Sequence, residues 1–296
     1  MDIFKDFYTW MRRPNKSTFA QYVETFVIIL PIAFVIRTFL YGLYQVPTGS
    51  METTMLVGER FLADKLTIWF KPPQRGDVIA FNDPEYEYSE NGLKRLWQLY
   101  VWGPSNWTKR VIGIPGDTLK GVVEDGHPVI YINGKKLDEP YVNKYPLLAV
   151  FKEDTMPPWL YRSYDPNVSY HDQPFYRMNE DSVELAKKLT QRYGEPYIRQ
   201  PYTPKYDGYG RLVDEFEMVL GDNQYWVQGD NRQGSYDARF WGGIGKPLDG
   251  SLIHGRIVLR LWSIDSDESW WILDLLKHPL DFWTRVRWGR FFQWVR

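Results

Sequence analysis

Between Phe26 and Tyr44 the chain reads FVIILPIAFVIRTFLYGLY, an apolar run with a single charge, Arg37. At about 1.5 Å per residue this run can cross a hydrocarbon core of about 30 Å as one helix. Arg37 stands toward one end, where a long side chain can snorkel outward, and Pro31 is tolerable in a spanning helix. A buried helix of a soluble domain and a cleaved secretory signal are the competing readings. The best small-x-small cleavage site, Thr48-Gly49-Ser50, abuts a motif taken up below, so residues 23–44 are read as a retained transmembrane anchor. Lys5, Arg12, Arg13 and Lys16 come before it. That charge bias predicts a cytoplasmic tail over residues 1–22 and an extracytoplasmic location for all that follows.

After the anchor the pattern changes to short strand-like runs. Phe61–Trp69 alternates loosely, Asp77–Phe81 reads DVIAF, and Tyr225–Val227 and Ile257–Trp262 (IVLRLW) are further strands. Val129–Ile132 and the run from Leu137 flank Asn133-Gly134, a pair suited to a type I′ hairpin turn because both positions need φ > 0. Gly-Asp pairs at 76, 116, 221 and 229 read as turns. The pattern predicts a mainly β fold: one transmembrane helix, then a domain of coiled antiparallel sheets. The β core covers residues 45–143 and 215–265, and residues 144–214, dense in Pro and Tyr, form a large inserted subdomain. One helix is expected there, from Asp181 to Tyr193, capped by Asn179 or Asp181 and ended by Gly194. A shorter insertion spans residues 85–107.

Residues 266–296 form an aromatic and basic tail, with Trp283, Trp288, Phe292 and Trp294 among Arg285, Arg287 and Arg290. An interfacial amphipathic segment and a helix docked on the protein's own core both fit it. Composition adds little to this picture except in two respects. Aromatics reach 17% (14 Trp, 21 Tyr, 16 Phe), which suits surfaces half wet and half apolar. Cysteine is absent, which excludes disulfides, thiolate metal sites and cysteine nucleophiles. A net charge of −1 gives no nucleic-acid-grade basic excess, so nucleic acid is not an expected partner.

Three segments carry candidate chemistry: Val46-Pro-Thr-Gly-Ser-Met51, Lys109–Asp117 and Gly229–Gly242. A serine becomes a good nucleophile only when a base takes its proton. The four histidines, at 127, 171, 254 and 278, stand in no triad signature. A lysine can serve if desolvation brings its pKa from about 10.4 to about 7–8. Lys109, followed by Val111, Ile112 and Ile114, has suitable surroundings in sequence.

Taken in order, Pro47–Met51, Arg75–Phe81, Lys109–Asp117 and Gly229–Gly242 resemble the sequence boxes of type I signal peptidases, or leader peptidases. The anchor just before the serine box fits, as does the Asn133-Gly134 hairpin followed by Glu139-Pro140-Tyr141. The resemblance covers roughly residues 20–145 and 215–263. It implies a membrane-anchored serine endopeptidase that removes signal peptides from exported preproteins, with no cofactor and no metal. Ser50 would be the acylated nucleophile and Lys109 the general base. The Ser50 backbone N–H and the Thr48 hydroxyl would form the oxyanion hole. Ser235 would orient the lysine, Asp237 and Arg239 would form a supporting salt bridge, and Asp230 and Arg232 would belong to the same scaffold. The implied partners are signal-peptide-bearing preproteins and membrane lipid, and the implied location is the cytoplasmic (inner) membrane. Two positions depart from the family pattern, Thr53 where proline is frequent and Ala238 where serine is common. Small residues before the cut would need shallow apolar pockets, expected along the strand after Ser50. A self-cleaving Ser/Lys repressor, a tethered non-enzymatic β module and a protease dedicated to one secreted partner are the rival readings.

Overall fold

The computed structural model of the chain describes residues 17–51, 54–56, 58–124, 127–142, 204–232, 234–264, 271–280 and 282–295. The helix expected at residues 181–193, like most of the large insertion and the basic N-terminal tail, lies outside these residues.

Helix α1 (Thr18–Val35) continues through a π-helical turn, Ile36–Leu40. The stretch Gln21–Leu40 has a mean hydropathy of 2.1 and none of it is buried in the protein, so its length and composition suit a bilayer span. The helix stops at Leu40, short of the expected Tyr44. Residues Tyr41–Gln45 instead form strand β1, antiparallel to β2 (Arg60–Asp64), with Tyr41 opposite Asp64 and Gln45 opposite Arg60. Gly42 is a poor helix residue, and the ladder with β2 satisfies the backbone that the helix gives up.

The remaining strands combine alternating stretches with contiguously buried runs. They are β3 (Val78–Asn82), β4 (Asn106–Gly113), β5 (Thr118–Glu124), β6 (His127–Ile132), β7 (Lys135–Lys136), β8 (Phe216–Val219), β9 (Gln224–Gln228), β10 (Leu248–Asp249), β11 (Ile253–Trp262) and β12 (Gln293–Trp294). An eight-stranded antiparallel sheet runs β1-β2-β11-β3-β4-β9-β10, with β12 paired to β11. A four-stranded antiparallel sheet runs β7-β6-β5-β8. Asn133 (φ 51°) and Gly134 (φ 79°) both take the left-handed conformation, and this closes the two-residue hairpin between β6 and β7 as the sequence predicts.

The main core joins the two sheets through Ile79, Phe81, Val111, Ile112, Leu119, Trp226 and Trp241, all nearly inaccessible to solvent. A second cluster, including Met51, Met55, Phe61 and Ala63, lies under the segment that carries Ser50. Within the shorter insertion, helix α2 (Gly92–Tyr100) starts at Asn91, whose side chain accepts hydrogen bonds from the N–H groups of Leu93 and Lys94.

The C-terminal tail resolves into α3 (Trp271–Lys277), α4 (Phe282–Arg285) and β12. Its inner face docks on the core: Phe282 and Val286 bury against Ile264, and Arg290 is 1% exposed. Leu280, Trp283, Trp288, Phe292 and Trp294 stay on the outside. The docked reading therefore describes the inner face, while an apolar outer face remains open to solvent.

Candidate active site

Lys109 and Arg110 are neighbours in the middle of β4, so their side chains leave opposite faces of the sheet. Lys109 points with Trp107, two residues earlier, toward the turn Gly49–Met51 that carries Ser50. Its Nζ lies 2.9 Å from Ser50 Oγ. The lysine is 5% exposed, and burial is the main force that lowers its pKa from 10.5 to about 8. Asp237 and Asp230 favour the charged amine and Arg239 opposes it, but these influences are secondary to desolvation.

The serine turn is held from below. Met51 and Met55 are buried anchors on one side. On the other, Asn231 donates its backbone N–H to the Ser50 carbonyl (3.1 Å) and its side-chain amide to the Gly49 carbonyl (2.9 Å). A Cβ on Gly229 would come within 2.4 Å of both the Ser50 carbonyl and Ser235 Oγ, so only glycine allows this approach. The Thr48 hydroxyl lies 3.4 Å from Ser50 Oγ, on the open side of the turn.

The scaffold residues form four buried ion pairs. Arg239 binds Asp237 at 2.8 Å and also Asp214 at 2.6 Å. Burial pushes the Asp237 carboxyl up, but Arg239 and the Gly229 N–H outweigh it and hold its pKa down. Asp230 receives a bidentate pair from Arg110 (2.8 and 2.7 Å), and Arg232 pairs with Glu139. Among the described residues Ser235 lies beside Gly229 and Asp237, while the one hydrogen bond of Lys109 Nζ runs to Ser50.

Three participants escaped the sequence reading. Arg110 is the partner of Asp230, a pairing across 120 positions that no local pattern carries. Asn231 sits inside the Gly-Asp-Asn-Arg box, whose sequence does not disclose its contact with the serine turn. Asp214, placed at the end of the insertion, is joined to the core through Arg239.

A cleft of about 730 Å³ opens over Ser50 and Lys109. Its walls come from Leu43 to Pro47, Met55 and Trp107. The apolar lining comes from β1 and the residues that lead from it to Ser50, joined by Met51, Met55 and Trp107, and not from the strand after Ser50 as expected from sequence. β2 is internal to the sheet, whereas β1 is its edge and keeps one row of backbone groups free.

Comparison with known proteins identifies the family of the chain. The model of the family described as signal peptidase, peptidase S26, matches residues 19–262. Signal peptidase I of Buchnera aphidicola subsp. Acyrthosiphon pisum is 26% identical over 288 residues, covering 87% of this chain and 79% of the relative. Signal peptidase I of Aquifex aeolicus is 29% identical over 235 residues (75% and 77%), and signal peptidase I S of Bacillus subtilis 27% over 226 residues (76% and 80%).

Proposed function

The chain belongs to the signal peptidase family, peptidase S26, membrane-anchored serine endopeptidases that cleave signal peptides, and we propose that Ser50 is its nucleophile and Lys109 its general base. The observation that carries this assignment is the 2.9 Å contact between a desolvated amine and a serine hydroxyl. A neutral lysine has a lone pair for the Ser50 proton, so Oγ can attack the scissile carbonyl as the proton moves to Nζ. The resulting ammonium then protonates the departing amine of the mature chain, leaving the signal peptide as an ester on Ser50. Lys109, neutral again, takes a proton from the water that hydrolyses the ester, and returns it to Ser50 as the acyl group leaves.

The oxyanion forms on the open side of the turn, where the Ser50 N–H and the Thr48 hydroxyl are its donors. Such a donor is typically worth about 2.7–4 kcal/mol. The substrate binds as an extended strand along the free edge of β1, with its small side chains against the apolar cleft wall. Asn231, Asp237, Arg239, Asp230 and Arg232 hold the turn and the lysine strand in register, and Ser235 packs between them. The N-terminus faces the cytoplasm and the catalytic domain lies outside the inner membrane, following the basic residues before the anchor.

The test is cleavage of a secretory precursor by the detergent-solubilised protein, with the cut mapped by mass spectrometry. Ser50→Ala should abolish cleavage with the fold intact. Lys109→Arg should do nearly the same, because a guanidinium keeps its proton near neutrality. Near-normal turnover by Lys109→Arg would remove the lysine from its role.

A further inference from the structure

A second cavity, of about 110 Å³, lies where the anchor, α2 and the large sheet meet. Its walls include Phe34, Arg37 and Thr38 from the end of the anchor, Leu99 to Val101 from the end of α2, and Lys65 and His254 from the sheet. Two cations, Arg37 and Lys65, line it, and among the described residues neither is in an ion pair. His254 adds no charge. Burial, reinforced by Lys65, lowers its pKa to about 3, and its ring bridges the Tyr44 hydroxyl (3.0 Å) and Asn106 Oδ1 (2.7 Å). The polar groups that complete the wall, Asn82, Gln98 and Asn106, are neutral as well.

The position of this cavity relative to the bilayer is fixed by the chain. Arg37 stands in the last turn of the apolar span, and Tyr100 of α2 meets Phe39 of that same turn with ring centroids 5.8 Å apart. Helix α2 therefore lies at the level where the anchor leaves the hydrocarbon. There it exposes Leu93 (81%), Leu96 and Trp97, with Trp102 (80%) just beyond, beside Lys94 and Arg95. That is the composition of a helix lying in a membrane interface.

We propose that this junction is a phospholipid-binding site, in which Arg37 and Lys65 take the phosphate of the headgroup and the exposed apolar side of α2 lies among the acyl chains. The proposal rests on the reading of Gln21–Leu40 as the membrane anchor. Burial and the neighbouring Arg37 lower the Lys65 pKa to about 8, and a phosphate between the two cations would relieve both effects. Arg37 and Lys65 also line the cleft that holds Ser50, so an acidic side chain of the substrate is the competing occupant. Depth favours the lipid, since Arg37 belongs to the span itself.

The test uses full-length protein carrying Ser50→Ala, so that its outcome is independent of the proteolytic assignment. Delipidated protein in detergent is titrated with dihexanoyl phosphatidylglycerol, dihexanoylglycerol or inorganic phosphate, and bound mass is read by native mass spectrometry. One phosphatidylglycerol per chain should bind, and the double variant Arg37→Gln/Lys65→Gln should weaken it tenfold or more. The single variants, each keeping one cation, should lose a few-fold and serve if the double variant does not fold. Dihexanoylglycerol, which lacks the phosphate, should bind as weakly to the native chain as phosphatidylglycerol does to the double variant. Equal binding by native and variant chains would overturn the proposal, and so would inorganic phosphate that occupies the site as tightly as the lipid. In the Ser50-intact background, a variant that binds phosphatidylglycerol normally but loses preference for precursors acidic after the cut would assign the cations to substrate instead.

Discussion

At the scale of single residues, the proposed chemistry depends on how far Lys109 is from its ordinary protonation. With a pKa of about 8, roughly a tenth of the amine is neutral near pH 7, against less than a thousandth for an exposed lysine. The acid limb of kcat/KM for precursor cleavage should therefore have an apparent pKa of about 8, measured from initial rates between pH 6 and 10. A limb near 6 would point to a histidine instead. The same burial has a stability consequence. The folded state releases the Lys109 proton at about 8, the unfolded chain only near 10.5. Below pH 8 folding therefore bears the full penalty, roughly 3 kcal/mol, and this penalty disappears as pH rises from 8 to 10.5. Lys109→Met should abolish cleavage yet raise Tm at pH 7, with the gain shrinking above pH 8. A lower Tm at pH 7 would mean that the amine is held by interactions stronger than its desolvation.

At the scale of elements, the serine turn is only as well placed as the Asn231 clamp that fixes its carbonyls. Asn231→Ala keeps the backbone bond to Ser50 and the backbone carbonyl that accepts from the Gly234 N–H, but loses the amide contact to Gly49 and the side-chain oxygen that also accepts from Gly234. The expected cost is about 1–2 kcal/mol of stability and a fall of about tenfold or more in kcat with KM little changed, since misplacement of a reacting atom acts on the chemical step. Steady-state kinetics checks this, and a pure KM effect would place Asn231 in substrate binding. What could be read from sequence divides along similar lines. Asn133-Gly134 revealed its hairpin because two left-handed positions are a local demand. The DVIAF run appeared as β3 because a fully buried strand leaves a contiguous apolar stretch. Ser50 and Lys109 could be singled out because their boxes are local, although the contact between them spans 59 positions. Tyr41–Gln45 was invisible as a strand, since Tyr and Leu suit a helix end as well as an edge strand and the choice depends on the ladder with β2. Arg110 was missed for the same kind of reason: its partner Asp230 is brought to it only by the pairing of β4 with β9.

On the scale of the whole molecule, the C-terminal tail reaches back to the segment that follows Ser50. Glu59 is completely buried and binds Arg290 of the tail, Arg260 of β11 and the Ser263 hydroxyl. Burial pushes its carboxyl up, but Arg290 and Arg260 outweigh this and hold its pKa at about 2. Both arginines also donate to the Thr54 carbonyl, and the Thr54 hydroxyl bonds Asp230, the partner of Arg110 next to Lys109. The tail is therefore a strut for the loop between Ser50 and β2. Because the folded pKa of Glu59 lies below its unfolded value of 4.5, this stabilisation is complete above about pH 4.5 and is lost as pH falls toward 2. Arg290→Met removes one partner while the carboxylate stays buried, at an expected cost of about 3–5 kcal/mol. In thermal melts at pH 7 the variant should have a clearly lower Tm. Limited proteolysis should release residues beyond β11 before the core is cut, and precursor cleavage should weaken although Ser50 and Lys109 are untouched. A melt at pH 3 gives the internal control: there the native chain has lost part of the same stabilisation, so the gap between the two proteins should narrow. A gap that stayed constant from pH 7 to 3 would mean that the tail is held by the packing of Phe282 and Val286 rather than by its charge.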